Sequence, residues 1–175
     1  MPATHILIAC IGNIFLGDDG FGVAVARELS RCQLPEEVRV IDFGIRGLDL
    51  AYALLDSPEV TIFVDATAHG GEPGTLYVIE PDLNDVNEAE TQCLVIETHG
   101  MNPVKVLQLV KTMGGEFKRI LIVGCEPTTL GPEEGQMGLS EPVQAAVGEA
   151  VRLVQSLIGK ILNEHQSYAM AQVII

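Results

Sequence analysis

Short apolar runs rich in β-branched residues alternate along this chain with longer segments whose apolar residues recur every three or four positions. This alternation constrains the fold most, because the short runs predict buried strands and the longer segments predict amphipathic helices. We predict strands at residues 5–10, 38–42, 60–65, 75–80 and 119–124. We predict helices at residues 21–32, 48–55, 102–113 and 140–162.

The order of these elements is typical of an α/β fold. We expect a three-layer sandwich in which a mostly parallel, twisted sheet carries helices on both faces. The turn sequence GGEPG at residues 70–74 precedes the strand at 75–80, so we expect that strand to be antiparallel. A length of 175 residues fits one domain, residues 1–175. Residues 163–175 leave two interpretations open, a mobile tail or an added strand at residues 173–175.

The net charge of the chain limits the classes of partner that it can bind. Acidic residues number 24 and basic residues 10, which gives a net charge of −14. Such a protein repels phosphate backbones, so we expect neither nucleic acid nor an anionic membrane as a partner. The first residues lack the features of an export signal and no apolar run approaches the length of a bilayer span, so we expect a cytoplasmic protein. The four cysteines form no CxxC pair and are predicted to be reduced, buried thiols.

Carboxylate and imidazole side chains fall at the ends of predicted strands and at the start of a predicted helix. Asp18 and Asp19 follow the first strand, Asp65 ends the third strand, and His99 precedes the helix at 102–113. In a parallel sheet these positions meet at one edge. Two carboxylates and one imidazole can hold a divalent cation and leave coordination positions open for a substrate.

Each of these residues also has a simpler interpretation. Asp18 or Asp19 could cap the following helix, Asp65 could be a turn residue, and His99 could be a loop histidine.

Glycine-rich segments can also bind nucleotides, and the segment at residues 11–22 is rich in glycine. It lacks the GxGxxG order, and Asp18 and Asp19 would repel a phosphate there, so we disfavour a nucleotide-binding enzyme. The glycines could instead serve only for positive φ or for close backbone approach. Among the other histidines, we expect His5 to be structural within the first strand and His69 to be exposed.

Five segments in order carry a resemblance to a known family. They are IGNIFLGDDGFG at 11–22, DFGIRG at 42–47, VDA at 64–66, THGMNP at 98–103 and VGCEP at 123–127. Together they resemble the hydrogenase maturation proteases, also called hydrogenase expression/formation endopeptidases, over about residues 5–160.

The resemblance implies roles for particular residues. The metal-binding acids of the family fall on Asp19 and Asp65, and its histidine falls on His99. The loop that the family links to substrate selection falls on residues 42–47, where we expect Asp42, Gly44 and Arg46 to contact the substrate. This sequence departs from the family pattern by having Phe43 in place of a common glycine and Cys10 in place of the first glycine of GxGN.

The implied activity is the removal of a C-terminal extension from the large-subunit precursor of a nickel–iron hydrogenase after nickel insertion. The ligands Asp19, Asp65 and His99 would recognise nickel supplied by the substrate, and other divalent cations could occupy the same site. The metal could activate the peptide carbonyl or a water, or one acid could act as the base, and the sequence leaves these routes open. The alternative is a non-catalytic protein that binds the precursor and checks its metal. We expect a monomer.

Overall fold

The computed structural model describes residues 5–81, 103–131 and 135–172. In chain order the elements are β1 (Ile6–Ile11), a 3₁₀ turn (Gly17–Gly20), α1 (Phe21–Leu29), β2 (Val38–Gly44), α2 (Gly47–Leu55), β3 (Val60–Ala66), β4 (Leu76–Ile79), α3 (Pro103–Thr112), β5 (Ile120–Cys125) and α4 (Glu141–Gln172). All the predicted strands are present, with their ends shifted by one or two residues. Among the described helices, none is long and apolar enough to cross a membrane.

The strands form one sheet in the order β2-β1-β3-β5-β4. Strand β1 pairs in parallel with β2 and β3, and β5 pairs in parallel with β3. Strand β4 runs antiparallel to β5, as the turn sequence before it predicted. The carboxyl ends of β1, β2, β3 and β5 therefore lie at the same edge of the sheet.

Helices cover both faces of the sheet, which confirms the three-layer prediction. The alternating residues Ile6, Ile8 and Cys10 of β1 join one buried core with α1 and α4. Leu7, Ala9 and Ile11 join a second core with α2 and α3 on the opposite face. Both faces of the central strands β1, β3 and β5 are buried, which explains their mostly apolar sequences.

One predicted helix boundary and one predicted residue role are wrong. Helix α4 continues to Gln172 rather than ending near Leu162, because residues 163–172 contain neither Gly nor Pro to stop it. Residues 163–172 belong to that helix, and residues 173–175, where an added strand was considered, lie outside the described residues. The structural role expected for His5 within a strand is also wrong, since β1 begins at Ile6 and His5 is exposed.

Candidate functional site

Two glycines let the 3₁₀ turn pack directly on the ends of β1 and β3. Gly12 has φ +141°, and a Cβ atom there would lie 1.9 Å from the backbone oxygen of Asp19. A Cβ atom at Gly22 would lie 2.2 Å from the backbone oxygen of Ile11 and 2.4 Å from that of Val64. Only glycine fits such contacts, so Gly12 and Gly22 serve close backbone approach, while Gly17 adopts a positive φ of +60°, in line with the structural interpretation that the sequence left open. They bring Asp19 to the edge of the sheet.

Asp19 and Asp65 are buried together at this edge. Asp19 lies in the 3₁₀ turn, is 1% exposed, and accepts a hydrogen bond of 2.8 Å from the backbone N–H of Asn13 on its Oδ2. Asp65 lies one residue before the end of β3, is 5% exposed, and accepts a hydrogen bond of 2.8 Å from the backbone N–H of Ala66.

The electrostatics of Asp65 show that the two acids affect each other. Burial raises the pKa of Asp65 well above its ordinary value, and the nearby negative charge of Asp19 raises it further. Two acids that disfavour each other's ionised form gain a compensating charge when a cation binds between them. The carboxylate pair therefore suits a divalent cation, which is the chemistry predicted for Asp19 and Asp65.

The third predicted ligand, His99, lies outside the described residues. Within residues 5–81, 103–131 and 135–172 there is no group of three or more His, Cys, Asp and Glu side chains that could hold a metal. The shared metal site of Asp19, Asp65 and His99 therefore remains a prediction.

Asp18 has a structural task different from that of its neighbour. Its Oδ1 accepts a hydrogen bond of 2.6 Å from the backbone N–H of Ser140, and its Oδ2 accepts bonds of 2.8 Å from the N–H of Thr128 and 2.8 Å from the hydroxyl of Ser140. These bonds fasten the loop after β5 and the start of α4 to the 3₁₀ turn. The helix that follows the two acids, α1, has Gly20 at its N-cap and no side-chain cap. Neither acid therefore caps α1.

The loop at residues 42–47 begins with an irregularity in the β1–β2 pairing. Cys10 pairs with Asp42 and Ile11 pairs with Gly44, so Phe43 is an extra residue on β2. The Phe43 side chain is 2% exposed and packs in the core beneath α2 and α3. Where the family pattern has a flexible glycine, this chain therefore has a side chain that fills the core.

The polar side chains of this loop hold its shape. Asp42 Oδ1 accepts a hydrogen bond of 2.9 Å from the N–H of Gly44, which has φ +55°. Arg46 donates to the backbone oxygens of Asp42 and Phe43 and pairs with Asp49 at 3.2 Å. Contact of Asp42, Gly44 and Arg46 with a substrate remains a prediction.

The buried thiols carry no sign of a nucleophile. Burial, followed by the charge of Asp42, raises the pKa of Cys10 far above its ordinary value. Burial, followed by the charges of Asp18 and Glu126, raises the pKa of Cys125 to about 12. A nucleophilic cysteine needs a lowered thiol pKa, so neither residue fits that role.

Glu126 is a buried acid to which the sequence analysis gave no role. Its carboxylate accepts hydrogen bonds from the N–H of His69 (2.8 Å), the N–H of Gly70 (3.2 Å) and the hydroxyl of Tyr77 (2.9 Å). Burial raises the pKa of Glu126, but these hydrogen bonds outweigh it and leave the pKa lowered. Glu126 therefore fastens the exposed loop that follows Asp65 to β4. Its place directly after an apolar strand and before Pro127 is the sequence signal that could have revealed it.

Comparison with known proteins agrees with this architecture. The family model HycI, hydrogenase maturation protease, matches residues 23–157. The hydrogenase expression/formation protein HupD of Rhizobium leguminosarum is 33% identical over 160 residues, which cover 89% of this chain and 76% of that protein. The structure of the nickel–iron hydrogenase maturation protease HycI of Thermococcus kodakarensis superposes on this chain with a TM-score of 0.61 at 31% sequence identity. The superposition covers 91% of this chain and 93% of that protein's chain.

The hydrogenase maturating endopeptidase HybD of E. coli shares the fold. Its structure superposes on this chain with a TM-score of 0.69 at 24% sequence identity, and the superposition covers 89% of this chain and 93% of the HybD chain. The match of the family model to most of the chain carries the assignment: this chain belongs to the hydrogenase maturation protease family.

Proposed function

We propose that this protein is an endopeptidase that removes the C-terminal extension of the large-subunit precursor of a nickel–iron hydrogenase after nickel insertion. Membership of the protease family supports the class of reaction. The observation that carries the proposal is the burial of Asp19 beside Asp65 at the carboxyl edge of the sheet, where the charge of one raises the pKa of the other. Such a pair is costly in a folded protein unless a cation or a proton compensates it.

In this proposal the nickel belongs to the substrate. Asp19 of the 3₁₀ turn and Asp65 near the end of β3 offer oxygen donors, and His99 would add a nitrogen donor, a set that suits nickel and other divalent cations. A metal bound there would supply Lewis-acid activation of the peptide carbonyl or of a water. The protein itself fixes the two acids, since the N–H groups of Asn13 and Ala66 each hold one carboxylate oxygen.

A comparison of loaded and unloaded precursor tests the proposal. Purified protein is mixed with precursor that carries nickel and with precursor that lacks it, and the loss of the extension is followed on a gel. We expect cleavage only of the nickel-loaded form. Binding of the loaded form without cleavage would contradict the protease and support the non-catalytic checkpoint.

A further inference from the structure

A groove of about 250 Å³ opens beside the turn that carries Asp19. Ile14, Gly17 and Gly20 line it, and each belongs to the segment around the proposed metal-binding acid. Gly20 follows Asp19 directly, and Ile14 follows Asn13, whose N–H holds the Asp19 carboxylate. The groove therefore borders the turn that carries Asp19, although neither Asp19 nor Asp65 lines it.

The middle of the groove is apolar. Its lining includes Val23 and Ala24 of α1 and Leu139 before α4. Met137 also lines it and is 70% exposed, and Ile14 is 40% exposed. Such a patch of exposed apolar side chains beside a polar site is typical of a surface that binds another chain.

The apolar wall is fixed to the active-site loop by backbone hydrogen bonds. The N–H of Gln136 donates to the carbonyl of Phe15 at 2.7 Å, and the N–H of Gly17 donates to the carbonyl of Gln136 at 2.6 Å. Met137 is the next residue, so its backbone is placed by the same loop that contains Asn13. The groove is thus a formed feature rather than a gap between unrelated loops.

One cation lines the groove. Arg27 of α1 lies in it, and among the described residues Arg27 makes no ion pair, although Arg31, Arg46 and Arg119 each do. In a chain with a net charge of −14, a cation left unpaired in an apolar groove favours a carboxylate on the partner. Arg27 follows Gly20 by two helical turns, about 10 Å, which an extended peptide covers in about three residues.

We propose that this groove binds an extended segment of the hydrogenase precursor next to the cleaved bond. The inference rests on the proposed function and adds the chemistry of the bound segment. An apolar side chain of the segment packs on Val23, Ala24 and Met137. An acidic side chain about three residues from the cleaved bond meets Arg27.

Matched pairs of variants test the groove, with the dissociation constant for nickel-loaded precursor as the measured quantity. Arg27→Glu is compared with Arg152→Glu, because Arg152 is also exposed on a helix and unpaired among the described residues but lies outside the groove lining. Met137→Ser is compared with Met113→Ser, since Met113 is 44% exposed at the end of α3.

We expect Arg27→Glu to raise the dissociation constant about tenfold and Met137→Ser about fivefold, with changes under about twofold for the two controls. Acidic residues near the cleaved bond of the precursor are then changed to Lys one at a time. One of these changes should restore the binding of Arg27→Glu.

The outcomes separate the groove from the protease proposal. If the wild type binds and cleaves the precursor while the groove variants bind as tightly as their controls, the groove proposal is wrong and the protease stands. If the wild type binds without cleaving and the groove variants bind weakly, the groove stands and the protease is wrong. If the wild type neither binds nor cleaves loaded precursor, both are wrong.

Discussion

Asp18 and Asp19 are adjacent residues of one type to which the structure gives different tasks, so the same substitution at each should have different consequences. In Asp18→Asn one carboxylate oxygen becomes an NH₂ group. Oδ1 faces the N–H of Ser140, and Oδ2 faces the N–H of Thr128. Whichever way the amide is oriented, a donor meets a backbone donor.

The magnitude follows from the bonds lost. At least one charge-assisted hydrogen bond disappears, and a partly buried N–H of Ser140 or Thr128 loses its acceptor, which together cost about 2–4 kcal/mol in the free energy of unfolding. For a domain of this size that loss lowers the melting temperature by roughly 10 °C.

The same change at Asp19 should leave stability nearly intact. The amide oxygen of Asp19→Asn can still accept the hydrogen bond from the N–H of Asn13. The substitution also removes the charge that raises the pKa of Asp65. We expect the free energy of unfolding to change by about 1 kcal/mol or less, in the stabilising direction. The reason is that the repulsion between the two carboxylates disappears once one of them is neutral.

Thermal and urea unfolding of wild type, Asp18→Asn and Asp19→Asn in the presence of a chelator measures the difference. Equal losses of stability in the two variants would refute the assignment of Asp18 to structure and Asp19 to the site. A loss of stability confined to Asp19→Asn would assign the structural task to Asp19 instead of Asp18.

Three further predictions concern other buried groups. Because the pKa of Asp65 is raised on folding, the wild type should lose stability as the pH rises from about 4 through that raised pKa, and Asp65→Asn should lose less. The same dependence of the melting temperature on pH in both proteins would contradict this. Phe43→Ala should lower the free energy of unfolding by about 3–5 kcal/mol in urea titrations, and a cost under about 1 kcal/mol would mean that Phe43 is not part of the core. Glu126→Gln should lower the free energy of unfolding by about 2 kcal/mol, and Tyr77→Phe should lower it by less, since Tyr77 supplies one of several hydrogen bonds to Glu126. An unchanged melting temperature in Glu126→Gln would show that the loop after β3 is held by other contacts.

The fold could be predicted from the sequence because local signals agree with the final packing. Strand β1 is apolar at every residue, and β3 is apolar except at Thr61 and Asp65, as a sheet covered on both faces favours. The turn sequence at residues 70–74 correctly predicted a change of strand direction before β4. The end of α4 could not be found by the same means, because no breaking residue marks Leu162 as a boundary.

The site was predictable only in part. Strand ends placed Asp19 and Asp65 at one edge, because parallel topology fixes where such residues meet. The division of tasks between Asp18 and Asp19 could not be predicted, since it depends on how a four-residue turn aims two adjacent side chains. The partners of Asp18 lie more than 100 residues away in sequence, so no local pattern reports them.

The most direct test of the central claim is a cleavage time course on nickel-loaded precursor with wild type, Asp19→Asn and Asp65→Asn, alongside His99→Ala. All four proteins are first shown to melt cooperatively, so that a loss of activity is not a loss of folding. We predict that the wild type removes the extension and that each variant does so at least about a hundredfold more slowly. Cleavage at near wild-type rates by Asp19→Asn and Asp65→Asn would contradict the account.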